Sequence, residues 1–278
     1  MNPPKQKLAR SLLFVPGDRP ERFAKALASG ADGIILDLED AVGPSAKPMA
    51  RQAVALYLQT QNSASVWVRI NAVDSAHHQE DMALLKALGR VASLQIMLPK
   101  AETRNGVEGF TGALASQASL NIIPQIESAL GLDNVKDFAT CKGIQRLSFG
   151  SIDYSLDLGL AHDEDAALLH ARSHLVWVSR LAGLASPIDT VTLNIQDPSL
   201  TQSDAQYAKR LGFGAKLCIH PSQVAPVNEA FSPSAKEIAW AEQVIAASNA
   251  AGDGAVKLGD QMIDKPVLLR AQGILAAR

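Results

Sequence analysis

Two carboxylates, Glu127 and Asp153, stand just past two short apolar runs, Ile122-Ile-Pro-Gln-Ile126 and Leu147-Ser-Phe-Gly-Ser-Ile152. A helix-like segment from Ser128 to about Thr140 separates them. The stretch Asn121 to Tyr154 thus reads as strand, helix, strand, with an acid after each strand. In a parallel sheet both strand ends lie on one edge, so the two acids would face each other across a small gap. A carboxylate pair of this kind suits a hard divalent cation such as Mg²⁺ and leaves several positions for water and substrate oxygens. The ion would serve as a Lewis acid for a bound carbonyl or enolate. Each acid also has a plain structural reading: Glu127 as a favourable charge at a helix start, Asp153 as a helix cap.

Arg69 ends a third apolar run, Val66-Trp-Val-Arg-Ile-Asn71. Its planar guanidinium can grip a carboxylate with two parallel hydrogen bonds. It can equally be the structural partner of an acidic strand end, Asp37-Leu-Glu39-Asp40. That acid cluster would be self-repulsive without cations, so it is expected to meet Arg69, Lys100 or Arg10. His170 and His174 are one helical turn apart, the spacing of a two-histidine metal face. The glutamate of the zincin pattern is missing and no third ligand is evident. His77-His78 lies in a polar, solvated loop, and His220 at a strand end is open to substrate binding or to structural hydrogen bonding. No nucleophile elbow, Walker loop or dinucleotide fingerprint occurs.

These residues need a scaffold that brings strand ends together. Apolar runs recur at Arg10–Pro16, Gly33–Leu38, Val66–Asn71, Leu94–Pro99, Ile122–Ile126, Leu147–Ile152, Pro187–Val191 and Ala215–Ile219. Helical patterns alternate with them, at Pro20–Ser29, Lys47–Gln59, Gln79–Gly89, Thr103–Gln117, Ser128–Thr140 and Asp163–Ala182. A further helix is opened at Thr201-Gln-Ser-Asp204 by a capping-box pattern and runs to Gly212. Another is opened by Ser234-Ala-Lys-Glu237 and runs to Ala251. A glycine-bearing loop, Gly252 to Gly259, and a short helix close the chain. The runs are continuously apolar, as expected of strands covered on both faces. Eight strands alternating with helices predict an α/β fold, a TIM (β/α)₈ barrel, whose chemistry sits at the C-terminal ends of the strands.

The 278 residues suffice for one large domain of this type, and 47% hydrophobic residues supply its core. A net charge of −2 gives no support to a nucleic-acid partner or an acidic membrane surface. No apolar stretch approaches the length of a membrane span. Met1 to Arg10 lacks an apolar signal core, so a cytoplasmic location is expected. Cys141 and Cys218 are far apart in apolar settings and read as buried free thiols.

The motifs, in order, resemble the citrate lyase β-subunit family within the HpcH/HpaI aldolase group. They are Arg10-Ser-Leu-Leu-Phe-Val-Pro-Gly17, Leu36-Asp-Leu-Glu-Asp-Ala-Val42, Val68-Arg-Ile-Asn71, Met97-Leu-Pro-Lys100 and Ile126-Glu-Ser128. Phe149-Gly-Ser-Ile-Asp153, Pro187-Ile-Asp189, Gly214-Ala-Lys216 with Ile219-His-Pro221, and Met262-Ile-Asp-Lys-Pro266 complete the series. The resemblance implies a barrel over residues 1–230 and a C-terminal helical extension over 231–278 that closes a neighbouring subunit's site, in a homotrimer or hexamer. It implies Mg²⁺ held by Glu127 and Asp153, Arg69 binding the carboxylate of a 2-oxo acid, and Asp264 as a catalytic acid/base. It implies that Phe14, Arg19, Lys25, Ile188 and Asp189 contact a CoA-type substrate. The activity implied is a carbon–carbon lyase on a short 3-hydroxyacyl-CoA such as a malyl, citramalyl or citryl thioester. Two alternatives stay open: an aldolase on free 4-hydroxy-2-oxo acids, and a citrate lyase β or accessory subunit docking an acyl-carrier protein. The chain departs from the family at Asn194-Ile-Gln-Asp-Pro198 and at Lys265.

Overall fold

The computed structural model describes residues 8–60, 65–88, 93–115, 119–160, 165–251, 256–258 and 261–278. In chain order the strands and helices of the first unit are β1 (Ser11–Pro16), α1 (Phe23–Ala28), β2 (Gly33–Asp37), α2 (Lys47–Thr60), β3 (Val66–Arg69), α3 (His78–Leu88), β4 (Leu94–Leu98), α4 (Arg104–Ala113), β5 (Leu120–Ile126), α5 (Ala129–Phe138), β6 (Ser148–Phe149), α6 (Ser151–Leu158), α7 (Asp165–Leu181), β7 (Ile188–Asp189), α8 (Pro198–Leu211) and β8 (Ala215–Cys218). The eight strands are parallel and close on themselves, β8 pairing with β1 through Ser11↔Lys216 and Leu12↔Leu217. This is the TIM-barrel fold.

Successive side chains of a strand point to opposite faces. One set fills the barrel: Leu12, Ile35, Trp67, Met97, Ile123, Ile188, Ala215 and Leu217 form a single buried cluster. The intervening residues, such as Ile34, Leu36, Val68, Ile96 and Ile122, are buried as well. They point the other way, towards the helical layer, which is why the strands read as continuous apolar runs. The turn after β1 packs directly on β2. Gly17 N donates to Asp37 O at 2.8 Å, and a Cβ on Gly17 would lie only 2.6 Å from that oxygen.

Several local expectations are corrected. The sixth strand is only two residues long, because Gly150 ends it and Ser151 starts α6. Asp153 therefore lies in the first turn of a helix, not at a strand tip. The helix expected at Thr201 begins at Pro198. Asp197 caps it by accepting hydrogen bonds from Ser199 N and Leu200 N, and Pro198 occupies the first turn, where its missing N–H is harmless. Pro20–Arg22 forms a separate 3₁₀ turn before α1. The far end of the helix expected to reach Gln117, the start of the one expected at Asp163, and the polar segment Met1 to Lys7 lie outside the described residues.

Among the described residues the chain divides into two compact units, Ala9–Asn228 and Glu229–Arg278, the latter with Leu8. Helix α9 (Val224–Phe231) spans the division. The second unit contains α10 (Ala235–Ala251), the antiparallel strands β9 (Val256–Leu258) and β10 (Gln261–Ile263), and α11 (Lys265–Ala276). Ala241, Val244, Ile263 and Ala271 form its own small core. The capping box at Ser234 is present, with Glu237 N donating to Ser234 Oγ and Ser234 N to Glu237 Oε2. The expected loop Gly252 to Gly259 contains β9, and its remaining residues lie outside the described set. Among the described residues no helix is long and apolar enough to cross a membrane.

Candidate active site

At the C-terminal mouth of the barrel lies a cavity of about 340 Å³ lined by Phe14, Asp37, Asp40, Arg69, Gln125, Glu127, Gly150, Asp153 and Thr190, among others. Arg69 is its organising cation. Nε and Nη2 hold Asp37 bidentately at 2.8 and 2.6 Å, and Nη1 approaches Glu39 at 3.2 Å and Asp40 at 3.5 Å. The guanidinium carbon sits 4.6 Å from the centre of the Phe14 ring. The loop carrying Glu39 and Asp40 is fixed from below by a buried ammonium. Lys47 Nζ donates to Leu38 O, Glu39 O and the Asn71 side-chain carbonyl, which uses all three of its protons. Asn71 in turn donates to Leu38 O and Asp81.

Glu127 is almost fully buried at the end of β5. Its Oε2 accepts the backbone N–H of Lys100 at 3.0 Å. To present that N–H, Lys100 adopts φ 48°, a left-handed conformation that costs a side-chain-bearing residue about 1–3 kcal/mol. Gly150 N donates to Ile126 O, which seats the glycine against the glutamate. A Cβ on Gly150 would lie 2.4 Å from Glu127 Oε1, so no other residue fits there without displacing the carboxylate. Three residues later, Asp153 enters the same cavity from α6.

The charges are unbalanced. Burial would raise Asp37, but the charge and hydrogen bonds of Arg69 prevail and hold it below the usual carboxylate range. Burial raises Glu39 to about 7 in spite of Arg69. Burial, then Glu39 and Asp153, raise Glu127 to about 8. Burial would lower Lys100, whose Nζ lies 3.4 Å from Glu39 Oε1, but the surrounding acids together prevail and raise it. Glu39 Oε2 is buried, in an ion pair with Arg69 Nη1 at 3.2 Å, but accepts no hydrogen bond. A divalent cation between Glu127 and Asp153 would neutralise this surplus, and the donor set, hard oxygens only, fits Mg²⁺. Among the described residues no three His, Cys, Asp or Glu side chains form a cage for an ion. Two carboxylates would therefore leave the rest of the coordination shell to water and substrate.

Residues 10–221 match the HpcH/HpaI aldolase/citrate lyase family. The chain belongs to this family. It is 34% identical to the citrate lyase subunit beta of Leuconostoc mesenteroides, over 97% of this chain and 93% of the other. It is 31% identical to the mitochondrial citramalyl-CoA lyase of Homo sapiens, over 95% and 83%. Among solved structures it is similar to the CitE protein of Mycobacterium tuberculosis in complex with magnesium, acetoacetate and coenzyme A. That match has 35% identity and a TM-score of 0.82, and covers 97% of this chain and 98% of the other.

Within this family member, Phe14, Arg69, Glu127 and Asp153 share one cavity. Other residues expected at the site stand elsewhere. Arg19 is exposed beside Asp18, at 4.0 Å, and Lys25 is exposed on α1. Ile188 belongs to the barrel interior. Asp189, next in the strand, points to the helical layer, where Arg172 Nε lies at 3.1 Å and Lys216 Nζ at 3.6 Å. Asp264 belongs to the second unit and caps α11 by accepting from Val267 N. Arg10 pairs with Asp32 and not with the acid cluster. His170 and His174 stack on each other, with Trp177 following, on one face of α7. His220 caps the 3₁₀ turn that precedes α9. His78 is buried at the start of α3 with Nδ1 3.0 Å from Asn71 O, not solvated. Lys47, Lys100 as a backbone donor, and Thr190 had no sequence signal, because their roles depend on which distant strand ends they meet.

Proposed function

We propose that the protein is a Mg²⁺-dependent carbon–carbon lyase that cleaves, or in reverse forms, a short 3-hydroxyacyl-CoA of the malyl or citramalyl type. The observation that carries this reading is the pair Glu127 and Asp153 on one cavity with Arg69, amid a surplus of buried acid. The relatives named citramalyl-CoA lyase and citrate lyase subunit beta, and the neighbour crystallised with magnesium, acetoacetate and coenzyme A, support the reaction class and the thioester.

Glu127 and Asp153 would hold the ion. When bound, it supplies Lewis-acid polarisation of the oxygen that becomes the ketone. Arg69 turns its remaining N–H groups towards the carboxylate of the 2-oxo acid, in competition with Glu39 and Asp40. Phe14 packs over Arg69 and walls the cavity. The substrate hydroxyl loses its proton to a base, its carbon–carbon bond breaks, and the electron pair moves to the thioester as an enolate. A proton then completes the acyl thioester. Asp264, delivered by the C-terminal unit of a neighbouring subunit in a trimer or hexamer, serves this proton traffic. Arg19 and Lys25, both exposed after β1, would meet the phosphates of the CoA arm, while Ile188, inside the barrel, and Asp189, paired with Arg172, would act by holding β7 in place.

The test is a panel of hydroxyacyl-CoA thioesters assayed with Mg²⁺ for release of 2-oxo acid. Turnover of at least one, lost on Glu127→Ala, is expected. Cleavage of free 4-hydroxy-2-oxo acids alone, or activity only with an acyl-carrier protein, would replace the reading.

A further inference from the structure

Helix α6 carries the second metal-ligand candidate, Asp153, in its first turn, yet its own N-cap cannot hold it. The cap position is Gly150, which has no side chain to offer the first free N–H groups. Nor can it acquire one, since a Cβ there would lie 2.4 Å from Glu127 Oε1. A serine, threonine or aspartate, the usual cap, is therefore excluded by the other metal-ligand candidate.

The missing acceptor comes from a different strand. Thr190, just after β7, accepts the N–H of Ser151 on its Oγ1 at 3.2 Å, and the Ser151 hydroxyl lies 2.9 Å from the same oxygen. Both residues are buried. Thr190 is itself held from behind. Lys216 Nζ, buried in β8, donates to Thr190 O at 2.8 Å and lies 3.6 Å from Asp189, which is paired with Arg172 of α7. We infer that Thr190 is a positioning residue for Asp153, capping α6 from outside the helix and fixing where its first turn presents the carboxylate. The inference rests on the proposed metal site and adds to it the residue that sets its geometry.

Mn²⁺ is the probe, with free ion read by electron paramagnetic resonance during titration of the full-length protein. Thr190→Val keeps the shape and removes the acceptor, and Thr190→Ser keeps the acceptor. The expected result is a loss of about tenfold or more in Mn²⁺ affinity for Thr190→Val, the usual size of an outer partner's effect on a metal site. Thr190→Ser should bind as the unchanged protein does, and circular dichroism should show the same fold in all three. Equal affinity of Thr190→Val and the unchanged protein, whatever the melting temperature, overturns the positioning role alone. If Thr190→Val does not fold, Thr190→Cys, between serine and threonine in volume and a poor acceptor, must show the loss, and unchanged affinity there overturns the inference. An unchanged protein that binds no Mn²⁺, or binds it equally after Glu127→Gln, overturns the metal site and the positioning role with it.

Discussion

Asp37 has no exposed surface; the Arg69 guanidinium pairs with it, and the N–H groups of Glu39 and Ala41 donate to it. Removing one partner of a buried pair leaves an uncompensated ion and costs about 3–5 kcal/mol. Arg69→Met should therefore lower the unfolding free energy read from denaturant titration by about that much, whereas Arg69→Met with Asp37→Leu should recover part of it, since the N–H groups of Glu39 and Ala41 then lose their acceptor. Glu39 and Glu127 have the opposite sign. Their carboxyl groups are raised by burial to about 7 and about 8, from 4.5. The folded chain thus keeps protons that the unfolded chain has released above pH 4.5, so folding loses stability as pH rises through that window. The melting temperature of metal-free protein should fall between about pH 5 and about pH 8, by about 2–4 °C for each kcal/mol lost. Glu127→Gln should flatten the profile, and saturating Mg²⁺ should restore the upper end by binding the folded state. That Glu127, Asp153 and Arg69 meet at one cavity was legible because each stands at or near the end of an apolar run. Lys47 was not, since nothing in Gly43-Pro-Ser-Ala-Lys47 shows that its ammonium ends on the carbonyls of Leu38 and Glu39.

At the scale of elements, the eight strands and the barrel were legible because strands covered on both faces leave uninterrupted apolar runs between glycine and proline punctuation. Helix α6 was not. Ser148-Phe-Gly-Ser-Ile-Asp-Tyr154 reads as one run, and only the packing of Gly150 against Glu127 shows why the strand stops after two residues. Likewise, alternation along β7 puts Ile188 inside and Asp189 outside, but the partners Arg172 and Lys216 come from distant segments. The same packing makes a prediction. Gly150→Ala forces Glu127 Oε1 away from its present position, and Mg²⁺ affinity should fall about tenfold or more. The melting temperature of the metal-free protein should fall as well, since the added carbon overlaps the buried Glu127 side chain as far back as Cγ. Isothermal titration of Mg²⁺ into both proteins reads the difference.

For the whole molecule the prediction concerns Asp264, carried by the C-terminal unit. Asparagine caps a helix as well as aspartate does, so Asp264→Asn should leave α11 and the melting temperature intact. If the carboxyl group handles protons, kcat should drop on the order of 10²–10⁴-fold. Subunits carrying Glu127→Gln mixed with subunits carrying Asp264→Asn should regain activity that neither has alone, because some sites in the mixed oligomer would receive both native residues. Recovery of nothing would place Asp264 outside a shared site. The most direct measurement of the central claim is stoichiometric: malyl-CoA and citramalyl-CoA are incubated with the protein, and 2-oxo acid and acyl-CoA are quantified with Mg²⁺, with EDTA, and after Glu127→Gln. The account predicts equal amounts of both products with Mg²⁺ and neither in the other two conditions. Product formation that survives EDTA and Glu127→Gln alike would contradict it.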